Sequence, residues 1–222
     1  MIKFFRYHFV RRLWFFPVIA LWTYIVLSPF LETKKLADFV AGVEASLLVP
    51  AFILSIFIFT SPTEVEFCKC YGFSLNRLCL AQVGPYVLFT LLTMGGAIIL
   101  FPLELVGVTP FERLLIFYTG ATNVLLTVSA AVFVRVLIRN LFGALGFELV
   151  FYYLLTMRTY NPDNDPVGVY YTITEALSTK MVRKLPMSMF YTNRLIVLGV
   201  AVILMTGAFF LMKNKTYTEA ES

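Results

Sequence analysis

Apolar and polar positions separate into long blocks along this chain. Six stretches run almost free of charge: Leu13–Leu31, Ala45–Thr63, Leu78–Leu103, Leu114–Val134, Leu141–Met157 and Leu195–Met212. Each holds 17 to 26 residues, near the roughly 20 that carry a helix across the hydrocarbon of a bilayer. The fifth is the shortest and contains one acid, Glu148. The pattern predicts an all-α integral membrane protein, with six transmembrane helices in a single domain over residues 1–222.

The connecting pieces carry patterns of their own. At 100° per residue Ile2, Phe5, Phe9, Leu13 and Phe16 fall on one stripe, with Lys3, Arg6, Arg11 and Arg12 scattered around it. This predicts an interfacial helix ahead of the first span; the alternative is a basic flank that only sets orientation. After the second span, Ser61-Pro62-Thr63-Glu64 has the form of a capping box with proline at the first helical position. Phe67, Tyr71, Leu75 and Leu78 then share a helical face, and Glu64, Glu66 and Lys69 supply polarity. A short amphipathic helix over about Pro62–Tyr71 follows, either a docking element or an elbow with no partner. Arg135 to Asn140 is a tight basic turn. Arg158–Arg194 is a long polar connection with the turn cluster Asn161-Pro162-Asp163-Asn164-Asp165-Pro166 and a second capping box at Thr172–Glu175. It predicts a structured outer loop between spans five and six.

Composition sharpens this picture. The 222 residues are 59% hydrophobic and 14% charged, and mean hydropathy is +0.82. Soluble domains are usually about a quarter charged, so a soluble enzyme, a disordered tail and a disulfide-stapled secreted domain are excluded. The net charge of +5 is assigned to lipid headgroups rather than nucleic acid, since no basic block is long enough for a nucleic-acid arm. Nor does the amino-terminal region have the form of a cleaved signal peptide: its apolar run is too long and no small-residue cleavage site follows.

Six spans place both termini on one side. With that side as the cytoplasm, ten Lys and Arg lie inside: Lys3, Arg6, Arg11, Arg12, Lys69, Arg77, Arg135, Arg139, Lys213 and Lys215. Eight lie outside: Lys34, Lys35, Arg113, Arg158, Lys180, Arg183, Lys184 and Arg194. The excess gives a multi-pass protein of the cell membrane with cytoplasmic termini.

The chemistry is sparse. No phosphate-binding loop, HExxH or Gly-x-Ser-x-Gly motif is present. Asp163-Asn164-Asp165 lacks the remaining ligands of a calcium loop. Cys68, Cys70 and Cys79 form a local, odd-numbered set without a second pair, and His8 is the single histidine; neither makes a metal site or a disulfide framework. Glu148 is costly in hydrocarbon and must face the bundle interior, be protonated or pair. It is either a pathway residue or an acid that fixes packing against Arg139, Arg158 or a neighbouring helix. Asn123 and Gln82 suit hydrogen bonds between helices, and Gly42-x-x-x-Ser46 and Thr127-x-x-x-Ala131 suit close helix approach.

This order of parts resembles the membrane subunit of ATP-binding-cassette exporters, of the type that includes drug, lantibiotic and polysaccharide export permeases. The motif-level likeness lies in Glu64-Val-Glu66-Phe-Cys-Lys-Cys-Tyr71-Gly72-Phe-Ser74-Leu-Asn-Arg77, where Ser74 and Arg77 match the turn into span three and Gly72 stands in place of the usual Pro. Gln82 stands where a Lys is frequent, and the ending from Asn193-Arg194 to Met212-Lys213 is also similar. The resemblance implies that the helix after span two is a coupling helix. Glu64, Glu66, Phe67, Lys69 and Tyr71 would meet separate ATPase subunits, with Arg135 and Arg139 as a second contact. It further implies pairing with itself or a sister permease, and ATP and Mg held by the partner, with no cofactor or catalytic residue in this chain. The competing readings are an accessory or scaffold membrane subunit, a six-helix substrate-binding component of an importer, and an intramembrane enzyme.

Overall fold

The computed structural model describes residues 2–33, 39, 42–43, 45–58, 70, 74–101, 108–138, 140–156 and 187–214. The described residues are 92% helical and include no strand. Seven helices follow in chain order: α1 (Ile2–Arg12), α2 (Phe15–Thr33), α3 (Leu48–Phe57), α4 (Leu75–Leu100), α5 (Pro110–Leu137), α6 (Leu141–Thr156) and α7 (Met187–Asn214).

The boundaries have local causes. Pro17 has no N–H for the Leu13 carbonyl and its ring would clash there. The helix therefore breaks at Leu13-Trp14, and i→i−3 bonds from Leu13 N to Val10 O (3.2 Å) and Phe16 N to Leu13 O (3.1 Å) close the break. Pro29, inside α2, leaves the Ile25 carbonyl without its helical donor, and the Ser28 hydroxyl donates to that oxygen at 2.8 Å. In lipid such an orphan must be satisfied locally. At the start of α5, Thr109 Oγ1 accepts from Glu112 N at 3.3 Å. In return Thr109 N donates to the Glu112 carboxylate at 2.7 Å, and Pro110 takes the first helical position. Asn140 caps α6 by accepting from Phe142 N (2.9 Å) and Gly143 N (3.3 Å).

Side-chain pairs give the direction of each helix. Phe15 lies against Tyr86 and Phe16 against Phe89, while Phe30 meets Phe101 further along, so α2 and α4 run parallel. Gly95 faces Phe117, and Gly120 faces Met94, which makes α4 and α5 antiparallel. Arg194 reaches Thr122 and Asn123, Val197 and Ala201 pack on Leu126, and Gly207 faces Phe133. Thus α5 and α7 are parallel, and the chain returns between them, the course α6 takes.

The second passage is less regular. Phe39 packs on Phe30 and Phe101 at one end of the bundle, and Phe57 packs on Phe15 at the other. The described chain between them therefore runs antiparallel to α2 from the far end to the near end, the near end being the one beside Leu13-Trp14. Gly42 allows this passage its closest approach: a Cβ there would lie 2.7 Å from Leu27 Cδ2 and 3.1 Å from the Val26 carbonyl.

Among the described residues four stretches are long and apolar enough to cross a membrane: Phe9–Glu32, Leu75–Leu100, Pro110–Leu137 and Arg194–Met212. They correspond to the first, third, fourth and sixth predicted spans. The second and fifth are represented by the shorter apolar helices Leu48–Phe57 and Leu141–Phe151. Of the predicted outer loop Arg158–Arg194, residues 187–194 form the first turns of α7; the rest of it and the helix over Pro62–Tyr71, Cys70 apart, lie outside the described residues.

The interior and exterior are arranged as lipid demands. Ile99 and Leu100 on α4, Phe142 and Val150 on α6, and Ile203 and Phe210 on α7 are exposed, whereas Ser55, Gln82, Thr119, Thr122, Glu148 and Arg194 are buried. Apolar groups outside and polar groups inside identify a multi-pass membrane protein.

Candidate functional site: two buried polar centres

The first centre joins three helices at the near end. Glu148 on α6 is 6% exposed. It accepts a hydrogen bond at Oε1 from the Ser55 hydroxyl of α3. Arg135 lies in the last turn of α5, a helix that packs against both α3 and α6. Glu148 Oε2 is buried and has no hydrogen-bond partner among the described residues. The structure thus gives Glu148, singled out from sequence, a partner in Ser55. It places the acid at a helix junction and not toward lipid, as its desolvation cost requires.

The second centre lies at mid-height. Arg194 on α7 is 0% exposed. Its Nη1 donates to Thr122 Oγ1 at 3.1 Å and to Asn123 Oδ1 at 3.0 Å on α5. The Thr122 hydroxyl in turn donates to the Thr119 carbonyl at 2.8 Å. Thr122 and Asn123 are 12 and 13 residues past Pro110, about 20 Å down the helix axis. The guanidinium is therefore well inside the apolar bundle, although the sequence pattern set Arg194 among the outer flanking charges. Sequence reasoning missed it because α7 begins at Met187, two turns before the uncharged stretch. The available signal was on the partner helix, where Thr119, Thr122 and Asn123 share one face of an otherwise apolar span.

The other singled-out residues fall as follows. Glu64, Glu66, Phe67, Lys69, Tyr71 and Arg139 lie outside the described residues. Cys70 is exposed and Cys79 buried, both as free thiols. Gln82 is buried on α4, and Asn123 is engaged by Arg194 as an interhelical partner. Among the described residues no group of three or more His, Cys, Asp or Glu side chains is placed to hold a metal. Comparison of the chain with models of protein families, with curated proteins and with solved structures finds no match.

Chemically, the centres offer charge and hydrogen bonding in a low-dielectric setting. The first sets a hydroxyl against a carboxylate, and the second sets a guanidinium against a hydroxyl and an amide oxygen. Such groups bind, gate or fix helices against one another.

Proposed function

We propose that the chain is the membrane-spanning subunit of an ATP-driven exporter, moving substrate across or out of the cell membrane while separate ATPase subunits hydrolyse ATP with Mg. The observation that carries the reading is the pair of charged groups, Glu148 and Arg194, buried at helix junctions of an otherwise apolar bundle. A charge at the centre of a span costs about 2.5–3.5 kcal/mol on insertion scales. A passive anchor gains nothing that offsets this, whereas a helix bundle that rearranges during transport uses such contacts as releasable joints. The alternating helix directions and the helix α1 before the first span fit the six-span layout of export permeases. On this reading both termini are cytoplasmic, α1 lies at the inner interface, and Glu64 to Tyr71 form the coupling surface. The permease works as a homodimer or with a sister chain.

The test is mild-detergent capture of the tagged chain from its host, with partners identified by mass and assayed for ATP hydrolysis. A stoichiometric ATPase is expected. Replacing Glu64 and Glu66 by Lys is expected to reduce its recovery and leave membrane insertion unchanged; undiminished recovery removes the coupling role. Capture of the intact chain alone supports an accessory or scaffold subunit. The buried polar groups also favour a second reading, a substrate-binding component of an importer, in which a small molecule bound within one chain would accompany the purified protein in native mass spectrometry.

A further inference from the structure

We propose that the outward face of α1 seats the headgroups of anionic phospholipids, with Arg6 and Arg11 as the two cationic edges of the seat. The inference rests on the chain being a multi-pass membrane protein and not on the exporter reading.

The way α1 docks decides which side chains remain outside. Phe9 turns inward: its ring lies 5.4 Å from that of Phe89 on α4, and it packs on the core that holds Phe15, Tyr86 and Phe89. A residue of the apolar stripe is thus spent on the bundle and not on lipid. Arg6, Tyr7, Val10 and Arg11 are left exposed. At helical spacing Arg6 and Arg11 stand about 140° apart around the axis, with Val10 and Tyr7 between them. The outward face is therefore an apolar and aromatic strip with a guanidinium on each edge. Long basic side chains on such a strip lay their stems along it and carry the charge to the headgroup layer.

Location restricts the partner. Arg11 is four residues ahead of Phe15, where α2 begins, and Leu13 and Trp14 between them are exposed. The strip thus runs without interruption into the lipid-facing side of a span. Tyr7 and Trp14 are rings of the kind that sit at headgroup depth. The anion within reach at that depth is a lipid phosphate, and the planar donor fork of a guanidinium matches it.

Charge then selects among phospholipids. α1 contains four Lys and Arg residues and no acid. Arg77, in the first turn of α4 at the same end of the bundle, is exposed as well. Among the described residues the acids lie elsewhere: Glu32 and Glu112 are at the far end, and Glu148 is buried against Ser55. The described surface of the near end is therefore positive. A zwitterionic headgroup brings a cation of its own to this surface, whereas an anionic one brings net negative charge. Each basic residue at the membrane surface favours anionic lipid roughly fivefold.

The test is bromine quenching of Trp14 fluorescence in the full chain. The protein is reconstituted in phosphatidylcholine vesicles that contain brominated phosphatidylglycerol or brominated phosphatidylcholine at equal mole fraction. Trp22→Phe leaves Trp14 as the single tryptophan. The expected result is stronger quenching by the phosphatidylglycerol. That preference falls roughly fivefold with each of Arg6→Gln and Arg11→Gln, and added salt weakens it. Trp14→Phe, which leaves Trp22 inside α2 as the reporter, gives equal quenching by the two lipids. If Trp22→Phe does not fold, native mass spectrometry of the unsubstituted chain and its arginine variants, offered equimolar phosphatidylglycerol and phosphatidylcholine with the same acyl chains, reads the same preference. Equal quenching of Trp14 by the two lipids overturns the proposal. So does a preference that survives both arginine replacements together, or one that is equally strong at Trp22.

Discussion

Gly120 offers a quantitative probe of the packing that holds α4 to α5. A Cβ at this position would overlap Met94 Sδ, approach Met94 Cε to 3.1 Å and meet Val43 Cγ1 at 3.7 Å. Met94 is 2% exposed and belongs to a cluster with Leu27, Phe30, Phe39 and Val43, so its thioether must re-orient among buried side chains. Gly120→Ala therefore incurs overpacking of about 1–3 kcal/mol, offset by about 1 kcal/mol of better helix propensity. Met94→Ala opens a cavity. In water such a change costs about 2–5 kcal/mol, but lipid-solvated helices lack most of the transfer share, so the packing loss of about 1–3 kcal/mol remains. In the double variant the new methyl enters the space the thioether has left. The overlap vanishes and part of the cavity fills. The double variant should therefore be more stable than the sum of the single effects by about 1–3 kcal/mol. Reversible unfolding in mixed micelles, with dodecyl sulfate as denaturant, measures all four corners of the cycle. Effects that add within about 0.5 kcal/mol would refute the assignment of Met94 to the Gly120 notch, and with it the register of α4 on α5.

Two further predictions address the helix ends and the interior. Thr109→Ala removes the capping box of α5 and should lower stability by about 1 kcal/mol, while Thr109→Asp should retain most of it; equal losses in the same micelle unfolding assay would remove the cap. Thr122→Val deletes an acceptor of the buried Arg194 guanidinium and should cost about 1–2 kcal/mol, whereas Thr122→Ser keeps the hydroxyl. Thermal melts that do not separate the Val and Ser variants would show that the 3.1 Å contact contributes nothing to stability.

The parts of the fold visible in the sequence are those governed by one-dimensional physics. Hydrocarbon thickness selects long uncharged runs, so Leu78–Leu103 and Leu114–Val134 appear as α4 and α5 with their ends shifted by a few residues. α6 begins at Leu141 as predicted, because Asn140 is a cap that the sequence displays. Thr109-Pro110-Phe111-Glu112 is also a capping box, of the same form as the one noted at Ser61–Glu64. The uncharged stretch starts only at Leu114, because Glu112 and Arg113 occupy the first turn of the helix. The break at Leu13-Trp14 was hidden for the opposite reason: the apolar run crosses it without change, and only Pro17 marks it. The candidate site was half visible. Glu148 stands out as an acid among apolar residues, but its partner Ser55 comes from α3, and nothing local to Ser55 marks its approach. Arg194 shows the limit most clearly, since a charge at the edge of an apolar run reads as a flank until the neighbouring helix supplies Thr122 and Asn123.

That relocation bears on orientation. Positive charges set topology only where they remain in loops or near helix ends. Arg194 is held at mid-height by Thr122 and Asn123, so it drops out of the outer set, which falls from eight to seven while the inner set stays at ten. Four of the seven, Arg158, Lys180, Arg183 and Lys184, belong to one connection, leaving Lys34, Lys35 and Arg113 for the other outer turns. The near end of the bundle should therefore face the cytoplasm more firmly than the linear count implies. Cys70 provides a native probe, being exposed and just ahead of α4, whose buried Cys79 packs at the near end with Phe15 and Val136. With Cys68 and Cys79 replaced by Ser, a membrane-impermeant maleimide should leave Cys70 unlabelled in intact cells and label it once the membrane is opened. Labelling in intact cells would invert the chain. It would carry the Glu148 centre to the outer side and would remove any docking of a cytoplasmic ATPase beneath Glu64–Tyr71.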